Sequence, residues 1–153
     1  MTMMIESFRG EEGFKKLVEE ILKQKIVFDN EELAQALAQS CFLFNHAPNS
    51  TIISHNGTDN DFCLIISGHV SIQVNGKEIS QRVSGDYVGE MAVIDPTCLR
   101  SADVMSIDEV TVARITELAF SSLADKYPQL WRILALELGA RLRQLTESVS
   151  AQK

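Results

Sequence analysis

Two alternating stretches face each other across Asn75-Gly76: His69 to Val74 before it, and Lys77 to Val83 after it. In the first, Val70, Ile72 and Val74 are apolar, and Ser71 and Gln73 lie between them. A period of two belongs to a strand with one buried face. Asn followed by Gly supplies the two positive-φ positions that a two-residue hairpin turn requires. The pattern predicts an antiparallel hairpin, and an isolated hairpin is at best marginally stable in water. It needs further strands, and the sequence offers them. Cys41–His46, Thr51–Ser54 and Phe62–Ser67 read as strands upstream, and segments near Arg100–Ser106 and Glu109–Ile115 downstream. Between them lie Ala47-Pro48-Asn49-Ser50, the polar loop His55–Asn60, and Gly68. Short strands with turn residues every 8–12 residues or so predict a closed or folded-over all-β unit.

Helical periodicity brackets this unit. Phe14, Leu17, Val18, Ile21 and Leu22 form one apolar stripe on a helix predicted over about Glu11–Lys25, after a short lead-in at residues 1–10. Glu11 and Glu12 suit its N-terminus, and Lys23 and Lys25 its C-terminus. Asp29 or Asn30 caps a second helix with Leu33, Ala34, Leu37 and Ala38 inward. After the strands, Leu118–Tyr127 reads as a short helix with Phe120 and Leu123 inward. Pro128 then opens a long one reaching about Val149. Its stripe is Leu130, Leu134, Leu138, Leu142, Leu145 and Val149, with Trp131 beside it. This stripe is expected to pack on the barrel, to close over a ligand, or to pair with a second copy. Gly139 costs ~1 kcal/mol relative to Ala inside a helix, which predicts a close contact or a bend. The organisation is one domain: a helical segment at 1–40, a β-barrel at 41–117, and C-terminal helices at 118–153.

At 153 residues the chain is long enough for a real core. A net charge of −7 argues against a nucleic-acid polymer as partner, because polyanion binding needs a basic surface. It leaves room for one small anion held by one local arginine. Cys41, Cys63 and Cys98 are odd in number and lack C-x-x-C spacing, so they read as free thiols of a reducing, cytoplasmic compartment. No basic region precedes an apolar one at the N-terminus, and no apolar run approaches ~20 residues, so neither a signal peptide nor a membrane span is expected.

The chemistry concentrates at residues 85–102. Gly85 and Gly89 permit tight turns and close backbone approach. Met91 to Ile94 can form about one helical turn before Pro96, which points free N–H groups toward an anion. Arg100 offers a planar fork for two phosphate oxygens. Glu90, acceptor-only when ionised, suits a sugar hydroxyl. Ser101 adds a small donor. An acceptor for sugar and a fork for phosphate together imply a ligand carrying both. The plain alternative for Glu90 and Arg100 is a surface ion pair of little worth.

Gly89-Glu90-Met91-Ala92 and Arg100-Ser101-Ala102, with the gap between them, resemble the phosphate-binding cassette of cyclic nucleotide-binding domains. That pattern runs Gly-Glu-(Leu/Met)-Ala, a short gap, then Arg-(Ser/Thr)-Ala. Leu64 to Val70 is similar to the family's strand-Gly-strand turn, and the resemblance covers about residues 41–150. Leu99 departs from it where many members carry proline, which bears on loop stiffness more than on chemistry. The resemblance implies a mainly β fold with flanking helices: a double-stranded β-helix, or jelly roll, with N-terminal helices and a long C-terminal helix. It implies that Glu90 takes the ribose 2′-OH and Arg100 the cyclic phosphate. Ser101, Ala92 and the backbone of Gly89, Met91 and Ala102 would line the same pocket. Thr146 sits where related sensors use a threonine to touch the base. The ligand would be a 3′,5′-cyclic mononucleotide, with no cofactor. The stretch Ile5–Gly13 and the helix after it resemble the N-terminus of bacterial Pycsar effectors. There a sensor precedes a TIR-type, NAD-degrading domain in antiphage defence signalled by cyclic UMP or cyclic CMP. That resemblance implies a homo-oligomer acting through a partner domain.

Other chemistries find less support. His46, His55 and His69 lack H-x-H spacing, so no metal site is expected. No Gly-x-Ser-x-Gly elbow accompanies the serines. The histidine–aspartate cluster of a cyclic-nucleotide hydrolase is missing, so no catalytic residue is assigned. Two rivals to the sensor remain: a cyclic-AMP-responsive regulator fragment lacking its DNA-binding part, and a ligand-free dimerisation or docking module.

Overall fold

A computed structural model describes residues 8–151. Residues 1–7, which include most of the lead-in and the first part of the Pycsar-like stretch, lie outside the described residues. The chain runs α1 (Gly10–Leu22), α2 (Glu31–Ser40), β1 (Phe42–His46), β2 (Thr51–Ile53), β3 (Phe62–Ser67), β4 (His69–Val74) and β5 (Lys77–Val83). It continues through β6 (Tyr87–Val88), α3 (Glu90–Ile94), β7 (Asp103–Ser106), β8 (Val110–Ile115), α4 (Glu117–Lys126) and α5 (Gln129–Ala151). The strands form two four-stranded antiparallel sheets, ordered β1-β8-β3-β6 and β2-β7-β4-β5. This is the expected mainly β jelly roll with flanking helices. Among the described residues no helix is long and apolar enough to cross a membrane.

Strand β3 is buried along Phe62–Ile66, where the sequence is a continuous apolar run. Both of its faces are covered, the circumstance in which alternation disappears. Phe62, Leu64 and Ile66 face the helices, in a core with Leu17, Ile21, Leu33, Phe120 and Leu130. Cys63 and Ile65 face the other sheet, in a core with Val70, Val104, Val110 and Val112. Phe120 joins the helical layer to the sheet, its ring centroid 4.7 Å from Phe62 and 5.4 Å from Trp131.

The hairpin forms as expected, with Asn75 and Gly76 both at positive φ, 54° and 77°. Its register then shifts. Val74 pairs with Lys77 and Gln73 with Glu78, but Ile72 pairs with Ser80 and Val70 with Arg82. Ile79 is the extra residue of a β-bulge. Ser71, expected on the outer face, is buried and donates to Glu78 Oε1 at 2.6 Å.

The helices differ from expectation at the end of α1 and along α5. Helix α1 ends at Leu22 instead of Lys25, because the chain turns at 23–29 and places Phe28 and Asp29 at positive φ. That turn is anchored from beneath: Gln24 Nε2 donates to the Ile65 carbonyl at 3.2 Å, and Lys25 N–H to the Gly85 carbonyl at 3.1 Å. Asn30, not Asp29, caps α2, accepting from Leu33 N–H at 3.1 Å. Along α5, Leu130 and Leu134 are buried, but Leu142, Leu145 and Val149 are about two-thirds exposed. The far half of the stripe therefore does not pack on the barrel. There the helix stands off from β5 across an open groove of about 680 Å³. Gly139 marks no close contact, since an added Cβ would meet only Arg143 Nη1 at 3.6 Å, an ordinary separation.

Candidate ligand-binding site

The cassette is held from both ends. Gly85 N–H donates to the Ile65 carbonyl at 3.0 Å, with Gly85 at φ 96°. The Asp86 carboxylate accepts from Val83 N–H at 3.0 Å and Lys25 Nζ at 2.6 Å. A short strand that the sequence pattern did not reveal, β6, follows and pairs with Cys63 and Leu64 of β3. Gly89 then turns the chain at φ 85° and caps α3. Buried Ala92 and Val93 anchor α3 in the fold. An Asx turn closes the loop, Asp95 Oδ1 accepting from Thr97 N–H at 3.1 Å. The Cys98 thiol donates to Asp95 Oδ2 at 3.0 Å, which raises the thiol's pKa and holds the carboxyl below its ordinary range.

One cavity of about 370 Å³ results, within the range of small-molecule sites. It brings together seven of the eight residues singled out from sequence: Gly89, Glu90, Met91, Ala92, Arg100, Ser101 and Ala102. Thr146 is not brought there. It is exposed, and its hydroxyl donates back to the Leu142 carbonyl at 3.0 Å, one turn earlier on α5. The α5 residues that do line the cavity are Leu138 and Arg141.

Arg100 is buried and already oriented. Its Nη2 donates to Asp59 Oδ2 and to the Asp61 carbonyl, both at 2.7 Å. Nε reaches Asp59 Oδ1 at 3.4 Å. Nη1 is the least engaged nitrogen, 3.5 Å from the Gly89 carbonyl. The hydrogen bond from Arg100 holds the Asp59 carboxyl below its ordinary pKa. Arg114 of β8 extends the network, lying 3.5 Å from Asp61 Oδ2 and donating to the Ile52 carbonyl at 2.6 Å. By sequence, residues 55–60 read as a plain polar loop. Its signal was the acid-rich run Asp59-Asn60-Asp61, which supplies the counter-charge and carbonyl that fix the arginine.

At the other wall Glu90 is largely buried and accepts from Arg141 Nη1 at 2.5 Å. Arg141 also lies 4.0 Å from Glu137, one turn back on α5. The Tyr87 hydroxyl is buried as well, and burial first, then the Glu137 carboxylate, push its pKa up. The acceptor expected to meet a sugar is thus tied directly to the long helix. Among the described residues no group of three His, Cys, Asp or Glu side chains could hold a metal ion. His69 pairs instead with Asp108, Nδ1 to Oδ2 at 2.6 Å.

The sequence profile of the cyclic nucleotide-binding domain matches residues 43–127. The chain belongs to the cyclic nucleotide-binding domain family. The match identifies a ligand-sensing module and not an enzyme fold. Two curated relatives extend the similarity over 98% of the chain. They are the Pycsar effector protein BcPycTIR of Burkholderia cepacia, 41% identical, and XpPycTIR of Xanthomonas perforans, 35% identical. This cyclic nucleotide-binding domain spans about half the length of each. Among solved structures it is similar to the regulatory domain of Toxoplasma gondii PKA, solved with cAMP. The TM-score is 0.73 at 16% identity, over 83% of this chain and 50% of that one, a likeness of fold alone.

Proposed function

We propose that this domain is a cyclic-mononucleotide sensor whose ligand repositions α5, and that it is the regulatory part of an antiphage effector answering cyclic UMP or cyclic CMP. The observation that carries the sensor reading is the convergence of Glu90 and buried Arg100 on one cavity large enough for a mononucleotide. Arg100 Nη1, free of strong bonds, is the donor for a phosphate oxygen; Glu90 is the acceptor for the ribose hydroxyl. A hydroxyl on Glu90 competes with Arg141, so ligand weakens the tie between cassette and α5. Ligand shifts that equilibrium only by its preference for one helix position. The pyrimidine assignment leans on similarity to the Pycsar effectors, since the cassette reads sugar and phosphate and not the base. In the whole protein the signal would pass to a TIR-type domain in the part that this chain does not span. The setting would be the cytoplasm.

The exposed Leu142, Leu145 and Val149 favour a second role for the same helix, pairing with another copy. Their spacing of three and four residues is that of a helix–helix seam. Light scattering with and without ligand tests this, and a mass that stays monomeric in both would remove the homo-oligomer from the reading.

The sensor is tested by calorimetric titration with cyclic UMP, CMP, GMP and AMP, followed by hydrogen exchange along α5. Expected is tight binding of a pyrimidine ligand and faster exchange at 138–151 when it is bound. Preference for cyclic AMP would favour the regulator fragment; no binding of any of the four by folded protein would leave the docking module. Arg141→Ala should raise α5 exchange without ligand, mimicking occupancy. Exchange that stays at the unliganded level in this variant would rule out the Glu90–Arg141 tie as the coupling.

A further inference from the structure

The cavity holds three arginines in a chain of net charge −7: Arg82, Arg100 and Arg141. Two are matched by acids, Arg100 by Asp59 and Arg141 by Glu90. Arg82 forms no ion pair among the described residues. Its Nη1 donates only to its neighbours, the Ser80 hydroxyl and the Gln81 carbonyl.

The β-bulge put it there. An unbroken hairpin from Val74–Lys77 would pair Arg82 with exposed His69. The extra residue Ile79 pairs it with fully buried Val70 instead and turns it inward. A one-residue shift exchanges the faces of every residue beyond it, and bulges recur where a strand must re-aim a side chain toward a site. The same shift leaves Ile79 largely exposed at the cavity mouth.

Register also sets Arg82 apart from the cassette along the sheet. The cassette ends at Ala102, and the next residue, Asp103, pairs with Gln73. Arg82 pairs with Val70, three residues or roughly 10 Å along β4, and lies one strand beyond it. Arg82 lines the cavity together with Leu138 and Arg141 of α5, and borders the neighbouring groove with Glu137 and Arg141.

We propose that Arg82 is the base-reading residue of this cavity, and that it selects bases carrying a ring carbonyl, such as uracil and cytosine, over adenine. This rests on the sensor reading above. A guanidinium is a fork of donors with no acceptor, so only acceptors satisfy it. Uracil offers O2 and O4, and cytosine offers O2. Adenine has no carbonyl, and its N7 stands next to the N6 amino donor, so one prong of the fork meets a donor. Specificity comes as much from that mismatch as from the matched contact.

The test is calorimetric titration of the protein with cyclic UMP, CMP and AMP, for wild type, Arg82→Met and Arg82→Lys. Methionine keeps the apolar stem and removes the fork; lysine keeps a charged donor. Thermal melts check that each variant folds. Expected is a loss of about tenfold or more for cyclic UMP and CMP in Arg82→Met, the scale of a hydrogen bond to a charged group. Cyclic AMP should change less than twofold, and Arg82→Lys should fall between. Equal loss for all three ligands would assign Arg82 to the shared sugar and phosphate and overturn the proposal, as would an unchanged preference. Wild type binding none of them would overturn the sensor reading itself, an outcome separate from both.

Discussion

Arg100→Ala is expected to abolish ligand binding at concentrations that saturate the wild type. Removing one partner of a buried, hydrogen-bonded charge pair costs ~2–5 kcal/mol, roughly thirty- to several-thousandfold in affinity. The upper part of that range applies, because Asp59, the Asp61 carbonyl and the Gly89 carbonyl have fixed the guanidinium before ligand arrives. Little ordering entropy is left to lose on binding. Calorimetric titration of the variant measures it, and affinity within threefold of wild type would show that phosphate is held elsewhere. The fold should survive, since Asp59 is nearly half exposed and can regain water.

The same pair gives the fold an acid dependence with a definite sign. Arg100 depresses the Asp59 pKa in the folded state. Its contribution is therefore present above the unfolded value of about 3.9 and is lost as pH falls through the lower folded value. Wild type should lose stability below pH ~4 more steeply than Arg100→Ala, which has no such contribution to lose. Urea unfolding at pH 6 and pH 3.5 reads the difference. Equal acid losses in the two proteins would mean that Asp59 is not stabilised by this arginine.

What could be read from the residues, and what could not, follows their range in the chain. The Asn75-Gly76 turn, the strands beside it and the Asn30 cap depend on neighbours within a few positions, and their residue types declare them. The cassette was legible for the same reason, since its two halves lie ten residues apart. The Arg100–Asp59 and Glu90–Arg141 pairs join residues 41 and 51 positions apart, and no local pattern marks which acid meets which arginine. Arg82 was hidden differently. In an unbroken hairpin it would pair with His69, and one bulge at Ile79 pairs it with Val70 instead. Thr146 lies apart from the cavity by register: on a 23-residue helix the cavity is reached at Leu138 and Arg141, before the chain arrives at 146. The exposed stripe beyond it could not be told from a packed one, because periodicity reports an apolar face and not what covers it.

Gly89→Ala should combine loss of stability with loss of binding. At φ 85° any side chain incurs the left-handed penalty, ~1–2 kcal/mol. The added Cβ would also lie 2.8 Å from the Asp61 carbonyl oxygen and 3.0 Å from Arg100 Nη1. Backbone on one side cannot yield cheaply, and overpacking of this kind costs ~1–3 kcal/mol. The group that can yield is the guanidinium, so the methyl group relieves its own clash by displacing the proposed phosphate donor. Gly76→Ala separates the two effects. Gly76 has a similar φ, 77°, but an added Cβ there meets nothing within 4 Å. It should show the conformational penalty alone and bind ligand as wild type does. Denaturant midpoints and titrations of both variants therefore read backbone conformation from Gly76 and site geometry from the excess at Gly89. If Gly89→Ala matched Gly76→Ala in both measurements, Arg100 would not depend on the space beside Gly89, and the cassette would tolerate a looser arginine than this geometry demands.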